Sequence, residues 1–124
     1  MLQLILHLIG DYLTQTDWMA KNKTSNLWIA FIHAFIYTLP FLLLSRSLVI
    51  LGIIFITHAL IDRYRLAKYI IYIKNKSTDW KLNWSNCSQT GYHKDTPIWM
   101  SVWLMIIADN TLHLTINYLA LLNK

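Results

Sequence analysis

The sequence predicts an all-α fold, a four-helix membrane bundle with a cytoplasmic loop between the third and fourth helices. Three observations support this prediction: hydrophobic residues make up 56% of the 124-residue chain, charged residues make up only 14%, and the apolar residues fall into four stretches. In an ordinary soluble domain about a quarter of the residues are charged. At this length we expect one integral-membrane helical domain over residues 1–124.

The four apolar stretches are expected to form helices over about residues 1–20, 26–45, 48–73 and 97–122. A helix needs about 20 mostly apolar residues to cross the hydrocarbon core, and the second and fourth stretches meet this requirement. The first and third are marginal because each contains a histidine and an aspartate. Pro40 inside the second stretch predicts a kink, whereas Pro97 suits the first turn of the fourth helix.

The distribution of positive charge predicts the orientation of these helices. If they alternate across the bilayer, most lysines and arginines share one side, and Arg46 and Lys124 lie on the other. Positive residues favour the cytoplasmic side of a membrane. We therefore expect both chain ends outside the cytoplasm, the polar loop over residues 74–95 inside it, and membrane lipid as the immediate partner.

Composition also excludes some kinds of site and partner. Cys87 is the only cysteine, which excludes an intrachain disulfide and a cysteine-based zinc cluster. A nucleic-acid partner is not favoured, because the aromatic residues of the basic loop, Trp80, Trp84 and Tyr92, are typical of a membrane interface. Because the chain has only one cysteine, any metal site must use histidine and aspartate.

The most informative pattern is a histidine four residues away from an aspartate, which occurs in three of the apolar stretches. The pairs are His7 with Asp11 in "HLIGD", His58 with Asp62 in "HALID", and Asp109 with His113 in "DNTLH". Residues four apart share one face of a helix, so each pair can present two ligands to one point. The third pair has the reverse order, as an antiparallel helix requires. All three pairs would then place aspartate towards the cytoplasm and histidine away from it.

The energetic cost of burying these aspartates favours a metal site. A charged residue at the bilayer centre costs on the order of 3 kcal/mol, and a whole protein is stable by only about 5 to 15 kcal/mol. We therefore predict one or two divalent ions, zinc, manganese or iron, which suit mixed nitrogen and oxygen ligands better than calcium does. The predicted ligands are His7, Asp11, His33, His58, Asp62, Asp109 and His113.

Catalytic and substrate-binding residues are expected on the same helix faces. Asp11, Asp62 and Asp109 are the candidates for catalysis, because a carboxylate can also act as a base. Polar residues that continue these faces are the candidates for substrate binding. They are Gln15, Arg63, Arg65 and Asn117.

The same segments resemble the motifs of a known family, the small phage and bacterial membrane proteins of the domain-of-unknown-function family three-three-zero-seven. The resembling segments are "HLIGDYLTQTDWMAKNK", "IHAF", "HALIDRYRLAKY" and "DTPIWMSVWLMIIADNTLH". The resemblance covers nearly the whole chain and implies a phage or bacterial origin and a bacterial inner-membrane location, so that both termini would be periplasmic. A looser likeness, in the pattern of intramembrane histidine and aspartate, is to predicted inner-membrane metal-dependent hydrolases.

The function expected from these patterns is that of a metal-dependent membrane hydrolase. It would cleave a phosphoester or similar bond of a lipid-like or nucleotide-like substrate, with a metal-activated water as the attacking group and Arg63 or Arg65 at an anionic group. Three alternatives remain open: a non-enzymatic membrane interaction protein with a structural His/Asp network, an ion or proton carrier, and a soluble helical bundle. A homo-oligomer is compatible with each of them.

Overall fold

The computed structural model describes residues 1–123, and within these residues it contains helices and no strand, which confirms the all-α class. The α-helices are α1 (Leu2–Leu8), α2 (Asp17–Asn22), α3 (Leu27–Thr38), α4 (Leu48–Tyr64), α5 (Leu66–Lys76), α6 (Trp84–Cys87) and α7 (Ile98–Leu121). Among the described residues, α7 is the one helix whose length and composition would allow it to cross a membrane. One such helix does not confirm the predicted four-helix membrane bundle.

The helix predicted over residues 1–20 is interrupted in the structure. After α1 the chain widens into a π-helix, Ile9–Leu13, in which the N–H of Thr14 donates to the carbonyl of Ile9 at 3.0 Å. Thr16 then has an extended backbone, and its side chain accepts a hydrogen bond from the N–H of Met19 at 3.2 Å. This N-cap starts α2 as a separate helix. The sequence prediction of one continuous helix is therefore corrected to α1, a π-turn and α2.

The second and third predicted helices also change geometry along their length. α3 ends at Thr38 and continues as a 3-10 helix, Leu39–Leu43, which contains Pro40. Proline lacks the N–H that a continuing α-helix needs, so the tightening at this point follows from the sequence. The helix predicted over residues 48–73 is divided at Arg65, whose φ of 50° is left-handed and ends the regular hydrogen bonding of α4.

The chain divides into two compact units, Met1–Tyr64 with His113–Lys124, and Arg65–Leu112. The first unit has a hydrophobic core to which α1, α3, α4, α7 and the 3-10 helix all contribute. Its buried residues are Leu6, Tyr37, Phe41, Ile50, Leu51, Ile54, Ala120 and Leu121. Burial of such side chains is the main favourable term in folding, and this core holds α1, α3 and α4 together around the site described below.

The second unit contains the whole segment predicted as a polar loop, residues 74–95. This segment is not without structure, because it includes the end of α5 and the short helix α6. Trp84 of α6 stacks on Tyr69 of α5 with ring centroids 4.9 Å apart. Gly91 has a φ of +84° and lies so close to the carbonyl of Lys68 that a side chain there would overlap it. These contacts fold the segment back onto α5.

Candidate metal centre

Four buried side chains from three segments meet in the first unit. Asp11 comes from the π-helix, His33 from α3, and His58 and Asp62 from α4. One ligand atom of each lies within 4.8 Å of the ligand atoms of the other three. These four residues, called the four-ligand cluster below, could hold a metal ion.

Five of the six distances within the four-ligand cluster are close to those of a tetrahedral site. The Nε2 atoms of His33 and His58 are 3.0 Å apart, and Asp11 Oδ1 lies 3.2 and 3.3 Å from them. Asp62 Oδ2 lies 3.2 and 3.1 Å from the same two nitrogens. A tetrahedral zinc ion with metal–ligand distances of about 2.0 Å places its ligands about 3.3 Å apart. Five of the six edges of the cluster thus have the length that a bound ion requires.

The imidazoles of His33 and His58 both direct Nε2 into the cluster. Two nitrogens that each bear a hydrogen would repel one another at 3.0 Å, so at least one presents its lone pair. The Nδ1 atoms on the other side of both rings have no hydrogen-bond partner among residues 1–123. Lone pairs that converge with two carboxylate oxygens form a site suited to a cation.

The two aspartates are oriented by two further histidines. Asp11 Oδ2 lies 3.4 Å from Nδ1 of His7, and Asp62 Oδ1 lies 3.5 Å from Nε2 of His113. Each carboxylate therefore has one oxygen in the four-ligand cluster and the other towards a buried imidazole. Contacts of this kind hold ligating carboxylates in a fixed orientation.

Tyr37, which was not among the residues predicted from the sequence, contacts both the four-ligand cluster and His7. Its hydroxyl forms a 2.8 Å hydrogen bond with Nδ1 of His7 and accepts one of 2.6 Å from Nδ2 of Asn117. Its ring stacks on His58 with centroids 3.6 Å apart. Tyr37 follows His33 by four residues and so shares its helix face, which is the signal by which the sequence could have identified it.

The packing of Gly10 against Tyr37 explains why the motif "HLIGD" contains a glycine. A Cβ atom at Gly10 would overlap the ring of Tyr37. The absence of a side chain lets the π-helix pack directly against α3. Asp11, the next residue, thereby reaches the histidines of α3 and α4.

Lys23 is the second residue that the sequence analysis missed. Its ammonium Nζ lies 2.8 Å from Asp62 Oδ2 and 3.5 Å from Nε2 of His33. The sequence places it among other basic residues, whose charge we attributed to membrane topology. Nothing in the local pattern distinguishes it from Lys21, two residues earlier.

The remaining predicted residues have different surroundings. Asp109 is half-buried and lies one turn before His113 on α7, in the part of that helix that belongs to the second unit. Gln15 is half-buried, and its Oε1 has no hydrogen-bond partner in the described chain. Asn117 is buried against Tyr37. Their predicted roles in metal or substrate binding stay predictions.

The two predicted arginines make contacts in different units. Nη1 of Arg63 donates to the carbonyl of Thr24 at 2.6 Å, within the first unit. Nη2 of Arg65 lies 3.4 Å from Sδ of Met105, within the second unit. Arg63 therefore supports the segment that contains Lys23, whereas its role in substrate binding stays a prediction.

We expect Tyr37→Phe to lower the free energy of unfolding by about 1 to 2 kcal/mol, because Asn117 loses the acceptor of a buried hydrogen bond. Thermal or denaturant unfolding of the detergent-purified protein, followed by circular dichroism, measures this change. Tyr118→Phe is the matched control, since Tyr118 is exposed on α7. Equal stability of the Tyr37→Phe variant and the wild type would contradict the supporting role of the hydroxyl.

Comparisons with known proteins identify one family. Residues 1–121 match the family model described as "Protein of unknown function (DUF3307)". No curated protein and no solved structure matches the chain. A function for the chain must therefore be proposed from the geometry of the site.

Proposed function

The chain belongs to the family described as "Protein of unknown function (DUF3307)", and we propose that it is a membrane-embedded, metal-dependent hydrolase. Membership confirms the family resemblance seen in the sequence motifs. The observation that supports the proposal is the tetrahedral spacing of the four-ligand cluster, Asp11, His33, His58 and Asp62. The proposed reaction is hydrolysis of a phosphoester or similar bond in a lipid-like or nucleotide-like substrate.

A divalent ion fits both the charge and the chemistry of the cluster. The charges of Asp11 and Asp62 balance those of one such ion, and the neutral imidazoles of His33 and His58 complete the ligand set. Mixed imidazole and carboxylate ligands suit zinc, manganese or iron, and a tetrahedral arrangement favours zinc. When bound, the ion would supply a Lewis acid that lowers the pKa of water.

Hydrolysis also needs a position for water, and four protein ligands fill a tetrahedron. One of the two carboxylates would therefore act as a base for water, and the remaining three residues would hold the ion. Asp11 would be the better base, because Oδ2 of Asp62 already pairs with the ammonium of Lys23 at 2.8 Å, and an ion-paired carboxylate is a weaker base. His7, whose Nδ1 is 3.4 Å from Oδ2 of Asp11, would hold this carboxylate near the site.

The proposed membrane location is supported by the surface of the helices. Large apolar side chains are exposed on several of them, including Trp28, Leu43, Leu48 and Trp99. Soluble monomeric proteins rarely expose extensive apolar surface. With α7 as a candidate span, this supports a membrane location. We propose the bacterial inner membrane, with periplasmic termini, the loop over residues 74–95 in the cytoplasm and membrane lipid as the partner.

Metal analysis and a chelation assay test the proposed function. Protein purified in detergent is expected to contain one zinc, manganese or iron ion per four-ligand cluster by elemental analysis. It is expected to hydrolyse a short-chain phospholipid or a nucleotide, to lose this activity with a chelator, and to regain it with added metal. Protein without stoichiometric metal would overturn the proposal.

A second candidate function is that of a membrane interaction protein whose cluster is structural. Two observations favour it: the four protein ligands would close a metal site, and the ammonium of Lys23 already lies 2.8 Å from a carboxylate of the cluster. If this second function is correct, the protein should hydrolyse no phosphoester, whether or not it contains metal. The same assay therefore separates the two functions.

A further inference from the structure

We propose that Lys23 is the anion-binding residue of this centre and that the substrate presents a phosphate-type oxyanion to it. The juxtaposition that supports this inference is an ammonium against one edge of a candidate metal site. The inference rests on the proposed function and specifies its substrate class. It also assigns a binding role to a residue outside the predicted site.

The Lys23 ammonium lies outside the four-ligand cluster. Nζ is 3.5 Å from Nε2 of His33, whereas the other three ligand atoms are at most 3.2 Å from that nitrogen. The four ligand atoms form the corners of a tetrahedron. A point inside it is never farther from one corner than the most distant of the other three corners. Nζ is farther from His33 Nε2 than any of them, so it lies outside the tetrahedron. The ammonium therefore contacts the edge formed by His33 Nε2 and Asp62 Oδ2 from outside and does not occupy the position that an ion would take.

The charges at the centre require an anion once a metal is bound. Asp11 and Asp62 contribute two negative charges, and Lys23 offsets one of them. A divalent ion then leaves the centre with a net positive charge, which favours an oxyanion over a neutral ligand. Without Lys23, the two negative charges of the carboxylates would already balance the two positive charges of the ion.

The path of the Lys23 side chain connects the buried cluster with the protein surface. The side chain is 16% exposed, whereas that of Asp62 is 4% exposed. Its backbone N–H donates to the carbonyl of Met19 at 2.9 Å, and the carbonyl of the next residue, Thr24, accepts from Arg63 at 2.6 Å. These bonds hold the backbone at Lys23, from which the partly exposed side chain extends to the metal ligands.

Lys21, in the last turn of α2 and two residues before Lys23, provides the matched control. Its ammonium pairs with Asp17 at 2.6 Å, and both side chains are largely exposed, 70% and 79%. An exposed pair of this kind contributes little to stability. Removing the charge of Lys21 changes the net charge of the chain by the same amount as removing that of Lys23, without touching the cluster.

The experiment measures two affinities of the full-length protein in detergent. Zn²⁺ affinity is determined by competition with a chromophoric chelator, and the affinity of the zinc-loaded protein for inorganic phosphate by calorimetry. We expect Lys23→Met to bind Zn²⁺ about tenfold more tightly, because a like charge is removed. The same variant should bind phosphate at least about tenfold more weakly, because a charge-assisted hydrogen bond is lost. Lys21→Met should match the wild type, and Lys23→Arg should retain phosphate binding.

The opposite directions of these two changes distinguish anion binding from a structural ion pair. A structural role for Lys23 predicts a lower unfolding temperature and unchanged phosphate affinity in Lys23→Met, and this result would overturn the inference alone. A wild-type protein that binds no Zn²⁺ would overturn the proposed function and the inference with it. If Lys23→Met does not fold, Lys23→Gln takes its place, since its amide can still hydrogen-bond with Asp62.

Discussion

Replacing Asp62 with asparagine is expected to lower the affinity of the chain for Zn²⁺ by about a hundredfold or more and to abolish hydrolysis. Loss of a residue that only supports a metal ligand already costs about 10- to 100-fold, and Asp62 is itself a proposed ligand. Its Oδ2 lies 3.1 and 3.2 Å from the two imidazole nitrogens. Asparagine keeps the size of the side chain but removes the negative charge that the ion requires.

The matched control for this prediction is Asp17→Asn. Asp17 is exposed and pairs only with Lys21 among the contacts described above, so its replacement should leave Zn²⁺ affinity and hydrolysis unchanged. Chelator competition measures the affinity of both variants, and circular dichroism establishes that both are folded. A folded Asp62→Asn variant with wild-type Zn²⁺ affinity would exclude Asp62 as a ligand and the four-ligand cluster as a metal centre.

Replacing Gly10 with alanine is expected to lower the free energy of unfolding by about 3 kcal/mol, the upper part of the range for overpacking a core. The added Cβ would overlap the ring of Tyr37, which is fully buried and hydrogen-bonded to His7 and Asn117. The ring cannot move away without breaking these bonds and its stack on His58. We therefore expect Zn²⁺ affinity to fall together with stability.

Gly52→Ala is the control for this change. Gly52 also lies in a helix, α4, but a Cβ there would meet no atom within 4 Å. Its replacement should stabilise the protein by up to about 1 kcal/mol, the difference in helix propensity between alanine and glycine. Thermal unfolding in detergent measures both variants. Equal effects of the two substitutions would show that the contact between Gly10 and Tyr37 does not constrain the fold.

The His/Asp pairs could be predicted from sequence because helical spacing places residues four apart on one face. The structure brings His7, Asp11, His58 and Asp62 together in this way, although Asp11 lies in a π-turn instead of a regular helix. The pairs alone did not show which histidines would belong to the cluster and which would only contact one of its aspartates. His33, which belongs to none of the three pairs, is one of the four residues of the cluster, whereas His7 faces the outer oxygen of Asp11.

The sequence by itself determined the helical class, the family and the side chains that could bind a metal. These properties depend on composition and on the spacing of neighbouring residues, which the chain has before it folds. Only the tertiary structure decided that Asp11, His33, His58 and Asp62 form the cluster, that Tyr37 supports it and that Lys23 borders it. These contacts depend on which helix faces pack together and on how far each helix is shifted along its axis. The close packing of side chains is a property of the folded core.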